Sequence, residues 1–97
     1  MPEIRFEVQW PDGTHEVCYS PSLIVKDYFI PAQSYRLEEF VERSRTALKI
    51  ASDRVQAKYG MPCSLALRQL QQIEQQAAHY QQTEQPDLQV RVIRFLE

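Results

Sequence analysis

Four side chains have the widest chemical scope in this sequence: Cys18, Cys63, His15 and His79. Thiolates are nucleophiles, and thiolates and imidazoles together are zinc ligands. His15 and Cys18 stand three residues apart, a spacing that can chelate, so a structural metal is the first reading to weigh. If residues 63 to 79 form one helix, Cys63 and His79 lie about 24 Å apart along its axis and project from nearly opposite sides. They cannot share an ion. His79 also falls on a polar helix face with Arg68, Gln72 and Gln75, and a lone His-x-x-Cys pair is more often two strand residues than a ligand pair. No metal and no cofactor is expected.

The thiols remain as candidate nucleophiles. Cys63 stands near a helix start, where exposed N–H groups and the positive end of the dipole lower a thiol's pKa. No histidine or lysine lies beside it in sequence to serve as a base, and its helical position points toward the core. Cys18, with Tyr19, Ser20 and Ser22 close by in sequence, is the second candidate. Its strand position suits a small apolar core residue equally well.

These residues must be held by elements that the pattern makes legible. Ile4, Phe6, Val8 and Trp10 alternate with Glu3, Arg5, Glu7 and Gln9 up to Pro11-Asp12-Gly13, which predicts a half-buried strand entering a hairpin turn. Pro11 and Asp12 suit a type I turn, and Gly13 suits the φ > 0 of a closing bulge. That turn places Trp10 opposite Thr14, Val8 opposite Glu16 and Phe6 opposite Cys18. A slip of one residue would instead match Val8 with Val17 and Phe6 with Tyr19. The turn-dictated register is expected, because Gly13 is one of only two glycines in the chain.

Between Ser20 and Ser34 the signal is mixed, and a short helix over 22–29 is the reading, ended by Ile30-Pro31. Leu37, Phe40, Val41, Ser44, Leu48, Ala51, Val55 and Tyr59 then fall within one arc at 100° per residue. They predict a helix over 35–59 with that face buried. Glu38 and Glu39 in its first turn and Lys58 in its last suit the macrodipole, and Gly60 stands at the C-terminal left-handed position. Pro62 permits a restart, and Ala66, Leu70, Ile73, Ala77 and Tyr80 form a second stripe with Leu67 on its flank. The short link makes the two helices antiparallel neighbours. The glutamine-rich stretch from Gln69 to Gln85 keeps helical period and reads as solvated helix, ended by Gln85-Pro86-Asp87. Leu88, Val90, Val92, Ile93 and Phe95 predict a closing strand. The fold class is therefore α+β, with a small, largely antiparallel sheet (N-terminal hairpin plus C-terminal strand) packed against an antiparallel pair of helices, as a single domain over residues 1–97. Ile50 and Ala57 project away from the apolar arc and Leu65 is similarly placed on the next helix, which marks these three as a candidate partner surface.

Composition narrows the function classes. Of the 97 residues 43% are hydrophobic and 25% charged, so the chain is globular and not disordered. Eleven basic residues face thirteen acidic ones for a net charge of -2, which leaves no general excess of positive charge for nucleic acid or anionic lipid. Leu23-Ile24-Val25 is the longest aliphatic run, far short of the roughly 20 apolar residues of a membrane span. With no signal peptide pattern at Met1-Pro2-Glu3-Ile4-Arg5 and only two cysteines, a cytoplasmic protein with free thiols is expected.

Whole phrases of the chain carry a likeness: Met1-Pro2-Glu3-Ile4-Arg5-Phe6, Trp10-Pro11-Asp12-Gly13, Cys18-Tyr19-Ser20-Pro21-Ser22, Ala47-Leu48-Lys49-Ile50-Ala51-Ser52-Asp53-Arg54-Val55 and Tyr59-Gly60-Met61-Pro62-Cys63. Together they resemble the small bacterial nitrogen-starvation response family, from the first residue through about Ile73. The resemblance implies a protein encoded beside a nitrilase, a radical SAM protein, an acetyltransferase and a flavin-dependent oxidoreductase, in a setting of nitrogen scavenging from nitriles or cyanide. It implies no reaction and assigns no catalytic residue. The expected role is that of a non-enzymatic accessory protein with protein partners, the enzymes of that cluster among them. The alternative is a small enzyme or ligand-binding component acting on a reactive nitrogen compound through Cys63 or Cys18.

Overall fold

The turn at Pro11-Asp12-Gly13 organises the first two strands. Gly13 N–H donates to Trp10 O at 2.9 Å, Trp10 N–H donates to Thr14 O at 2.8 Å, and Gly13 takes φ +90. This is the bulged turn that the residues called for. It sets β1 (Ile4–Gln9) against β2 (His15–Ser20) with Phe6 opposite Cys18 and Val8 opposite Glu16. The turn-dictated register holds. Asp12 stiffens it, with Oδ1 accepting from the Thr14 N–H at 3.0 Å and the Thr14 hydroxyl at 2.7 Å. These bonds hold the Asp12 carboxyl below its ordinary pKa.

The computed structural model describes residues 2–83 and 87–97. Its remaining elements are α1 (Val25–Tyr28), β3 (Gln33–Arg36), α2 (Leu37–Tyr59), α3 (Ser64–Gln81) and β4 (Gln89–Leu96). The sheet is antiparallel in the order β2-β1-β4-β3. The α+β reading with an antiparallel helical pair stands, and the helices cover one face of the sheet. One hydrophobic cluster joins the elements, from Ile4, Phe6 and Val8 through Phe29, Tyr35, Phe40 and Leu48 to Ile73, Val90 and Val92. Trp10 sits between Phe40 and Tyr80, with ring centroids at 5.5 and 5.8 Å.

Three expectations need correction. Residues 33–36 form a strand and α2 begins at Leu37, not near 35. Ile30-Pro31-Ala32-Gln33 makes a tight turn, with Gln33 N–H donating to Ile30 O at 3.2 Å and Ala32 at φ +67. It delivers Tyr35 opposite Val90 of β4, a partner 55 positions later that no local signal encodes. Arg36 caps α2 without a side-chain bond, so the usual sequence mark of a helix start is absent. The helix expected over 22–29 is one turn, 25–28, because the Ser22 hydroxyl holds the Ile24 N–H at 3.3 Å in a turn ahead of it.

The buried arc of α2 also ends early: Val55 is half-buried and Tyr59 is 63% exposed. With 23 residues α2 is about 34 Å long, while β4, the longest strand at 8 residues, spans about 27 Å. The last turns of α2 project beyond the buried core. The expected helix stop at Gln85-Pro86 lies outside the described residues; α3 itself closes at Gln81, where the Thr83 hydroxyl donates to Tyr80 O at 2.7 Å. In β4 the consecutive Val92 and Ile93 have a physical cause. A bulge between Glu7 and Val8 pairs Val8 with Val92 but Glu7 with Arg94, so Ile93 is the extra residue that brings Phe95 back inward opposite Phe6.

Candidate functional site

Cys18 lies at the centre of β2, fully buried beneath the helices. Its Sγ donates to Glu16 Oε2 at 3.6 Å. Burial first, and then the Glu16 carboxylate, pushes the Cys18 thiol well above its ordinary pKa. A thiol so held stays protonated at neutral pH and is reached by no reagent from solvent.

Cys63 is placed differently. It is the N-cap residue of α3, half-buried, with its carbonyl accepting from the Leu67 N–H at 3.2 Å. Its own N–H donates to the Ser52 hydroxyl of α2 at 3.2 Å, which pins the turn between the two helices. Tyr19 lies close by. Partial burial, and after it the neighbouring acidic groups, pushes the Tyr19 phenol above its ordinary pKa. Arg5 stacks over the Tyr19 ring at 5.7 Å.

Ser20 and Ser22, also near Cys18 in sequence, are both buried and committed to the backbone. The Ser20 hydroxyl donates to Ser22 O at 2.7 Å, and Ser22 Oγ accepts from the Ile24 N–H and from the Arg54 guanidinium at 3.1 Å. Three of the sequence phrases singled out above thus meet at one end of the fold, through Arg54 to Ser22 and Ser52 to Cys63. Their polar groups serve one another, which is the chemistry of a structural latch.

The candidate partner residues scatter. Ile50 is half-buried on α2, Ala57 is exposed there, and Leu65 is 53% exposed in the first turn of α3. Tyr59 and Met61 join Leu65 as exposed apolar residues at the tip of the helical hairpin. Sequence reasoning missed them, since helical period alone does not reveal where the core beneath a helix ends. His79 is exposed on α3 with its ring edge-on to Tyr80 at 5.5 Å. Among the described residues no three of His, Cys, Asp and Glu come together as a metal site, and no helix is long and apolar enough to cross a membrane.

A feature that the sequence concealed is the charge of the sheet's outer face. Strand alternation puts Arg5, Glu7 and Gln9 of β1, His15, Val17 and Tyr19 of β2, Arg91 and Arg94 of β4 and Arg36 of β3 on the side away from the helices. Four of the chain's eleven basic residues share this face. Glu7 is its one strand carboxylate, and it accepts from His15 Nδ1 at 2.9 Å and Arg94 Nε at 2.7 Å. The bond from His15, and then that from Arg94, hold Glu7 below its ordinary pKa. Its charge is thereby engaged within the face, Arg5 is paired with Glu3 at 3.5 Å, and Arg36 and Arg91 leave the surface net positive on a chain whose total is -2. A signal was available in the alternation of arginine with apolar residues along Val90-Arg91-Val92 and Ile4-Arg5-Phe6, once those strands are known to be neighbours.

Residues 5–95, nearly the whole chain, match a family model described as nitrogen starvation-induced protein NitG. No curated protein and no solved structure matches the chain.

Proposed function

The chain belongs to the nitrogen starvation-induced protein NitG family, and from that premise we propose that it is a non-enzymatic accessory protein of the nitrogen-starvation response, one that docks on enzymes of a nitrilase-containing gene cluster for nitrile or cyanide nitrogen scavenging. The observation that carries this reading is the sheet face that no element of the described chain covers. It presents arginines and Tyr19 in a flat array, whereas the rest of the surface bears most of the carboxylates. Arginine and tyrosine are the side chains that contribute most at protein interfaces, and a positive face on an acidic chain selects an acidic surface on the partner. Cys18 is buried with its thiol held protonated against Glu16, and the serines near the cysteines are bound into the latch, so the same residues lend little to a hydrolytic or transfer reaction.

The test is direct binding of the purified chain to each purified enzyme of the cluster, with salt as a variable. Binding to at least one, weakening as salt rises, and lost in an Arg91→Glu, Arg94→Glu variant that still melts cooperatively, is the expected outcome. Binding that the charge reversal leaves unchanged, or no binding to any of them, overturns the reading. Turnover of a nitrile or cyanide by the chain alone, abolished by Cys63→Ser, would establish the thiol-based alternative in its place.

A further inference from the structure

β2 stands at the edge of the sheet with only β1 beside it. The bonding of the hairpin decides which of its backbone groups are left over. Trp10 and Thr14 are a hydrogen-bonded pair. In an antiparallel ladder such pairs recur at every second position, so Val8 with Glu16 and Phe6 with Cys18 exchange the bonds between β1 and β2. The intervening His15, Val17 and Tyr19 aim their N–H and C=O groups away from β1, at the open edge. One of these donors is already taken: Gln69 Oε1, reaching from α3, accepts from the Tyr19 N–H at 3.0 Å. A side-chain amide oxygen thus sits where the carbonyl of an adjoining strand would sit. Alongside, a cleft of about 410 Å³ runs between the edge and α3, lined by Glu16, Val17, Gln69, Gln72, Gln75 and Gln76.

We propose that this edge is where two copies of the chain associate, with β2 pairing antiparallel to β2 of the second copy about a two-fold axis at Val17. The two four-stranded sheets would then run on as one. A two-fold interface brings a patch against itself, so its chemistry must be self-complementary. Like charges fail that condition. A strand edge meets it, because each residue offers one donor and one acceptor, and so do carboxamides, which carry both. Around the axis the register sets Glu16 opposite the uncharged Cys18 of the second chain, with the other Glu16 one step away on the diagonal. Val17, 52% exposed, meets its own copy, and His15 meets Tyr19 of the second chain. Pairing gives the Tyr19 N–H to His15 O of the second chain, so Gln69 releases that donor and joins Gln72, Gln75 and Gln76 in facing their counterparts across the cleft. The opposite edge, β3, is short at four residues and carries Arg36, the devices by which edges avoid pairing; β2 is regular over six residues and has no lysine, proline or bulge. The sheet's outer face stays open in this arrangement, so the inference does not rest on the accessory role.

The experiment is sedimentation velocity and light scattering on the full chain over a range of concentrations. The expected result is a reversible dimer, with a mass twice the 11.4 kDa of the chain. Val17→Pro removes an N–H that the chain's own ladder does not use, and Val17→Lys sets like charges on the axis while its side chain stays in solvent. Each should raise the dissociation constant by about tenfold or more, with the far-ultraviolet spectrum of the folded monomer retained. Should the proline variant fail to fold, the lysine variant decides. A wild-type chain that is monomeric at every concentration, or a dimer that Val17→Lys leaves intact, overturns the proposal.

Discussion

Ser44 is the residue at which the packing can be tested most sharply. It lies on α2 between Phe40, Val41 and Leu48, is fully buried, and its hydroxyl has no hydrogen-bond partner among the described residues. A buried hydroxyl left without a partner costs about 1–3 kcal/mol, and serine is a poorer helix former than alanine by about 0.5 kcal/mol. Ser44→Ala removes both penalties and leaves only a small void. It should therefore stabilise the domain by about 1–2 kcal/mol, which for a chain of this size is a rise in melting temperature of about 4–16 °C. Ser44→Leu tests the same site from the other side. The site is fully buried, so the added carbons should cost about 1–3 kcal/mol by overpacking. Urea unfolding of the three proteins, with equal slopes, gives both differences. A destabilised alanine variant would show that the hydroxyl has a bonding partner, and a stabilised leucine variant would show that α2 is loosely packed at Ser44.

Gly13→Val should destabilise the domain by about 1–3 kcal/mol through backbone strain alone, since a Cβ at Gly13 meets nothing within 4 Å while φ is +90. Gly13→Asn should cost clearly less in the same melts, and equal losses would remove the bulged-turn account. Because Glu7 is held below its ordinary 4.5, its contribution to stability is complete above that value and is lost as pH falls through the lower folded value. Urea midpoints measured downward from pH 5 should therefore fall less steeply for Glu7→Gln than for the wild type, and parallel curves would refute the His15–Glu7–Arg94 bonds as the cause. Native Cys18 should react with a thiol reagent only as fast as the protein unfolds, and half-buried Cys63 faster but below the rate of a free thiol. A hyper-reactive Cys63 at mildly acidic pH would move the weight of the functional argument to the start of α3.

Local chemistry carried much of this protein in plain view. The Pro11-Asp12-Gly13 turn determined not only the hairpin but its register, because a bulged turn leaves one pairing free of strain and Gly13 alone accepts φ +90 there. The stripe Ala66, Leu70, Ile73, Ala77 and Tyr80 specified the apolar part of the buried face of α3, since a helix of 18 residues over a sheet needs one apolar side at its own period. It left out buried Gln69 and set exposed Leu67 on its flank. Cys18 could be placed opposite Phe6 because the bulged turn sets that register. What the sequence left undecided depends on distant partners. Strand β3 exists because Tyr35 reaches Val90, and four residues with mixed propensity have no reason to extend until β4 offers its edge. Tyr59 obeys the periodicity of α2 and is exposed all the same, because the buried core ends before the helix does. The basic outer face belongs wholly to the tertiary structure. Arg5, Arg36, Arg91 and Arg94 are spread from one end of the chain to the other in an acidic sequence, and only the order β2-β1-β4-β3 gathers them on one side. Periodicity within a segment tells which side chains go inward; which outward-facing charges become neighbours is settled by strand order, a long-range property that no single segment contains.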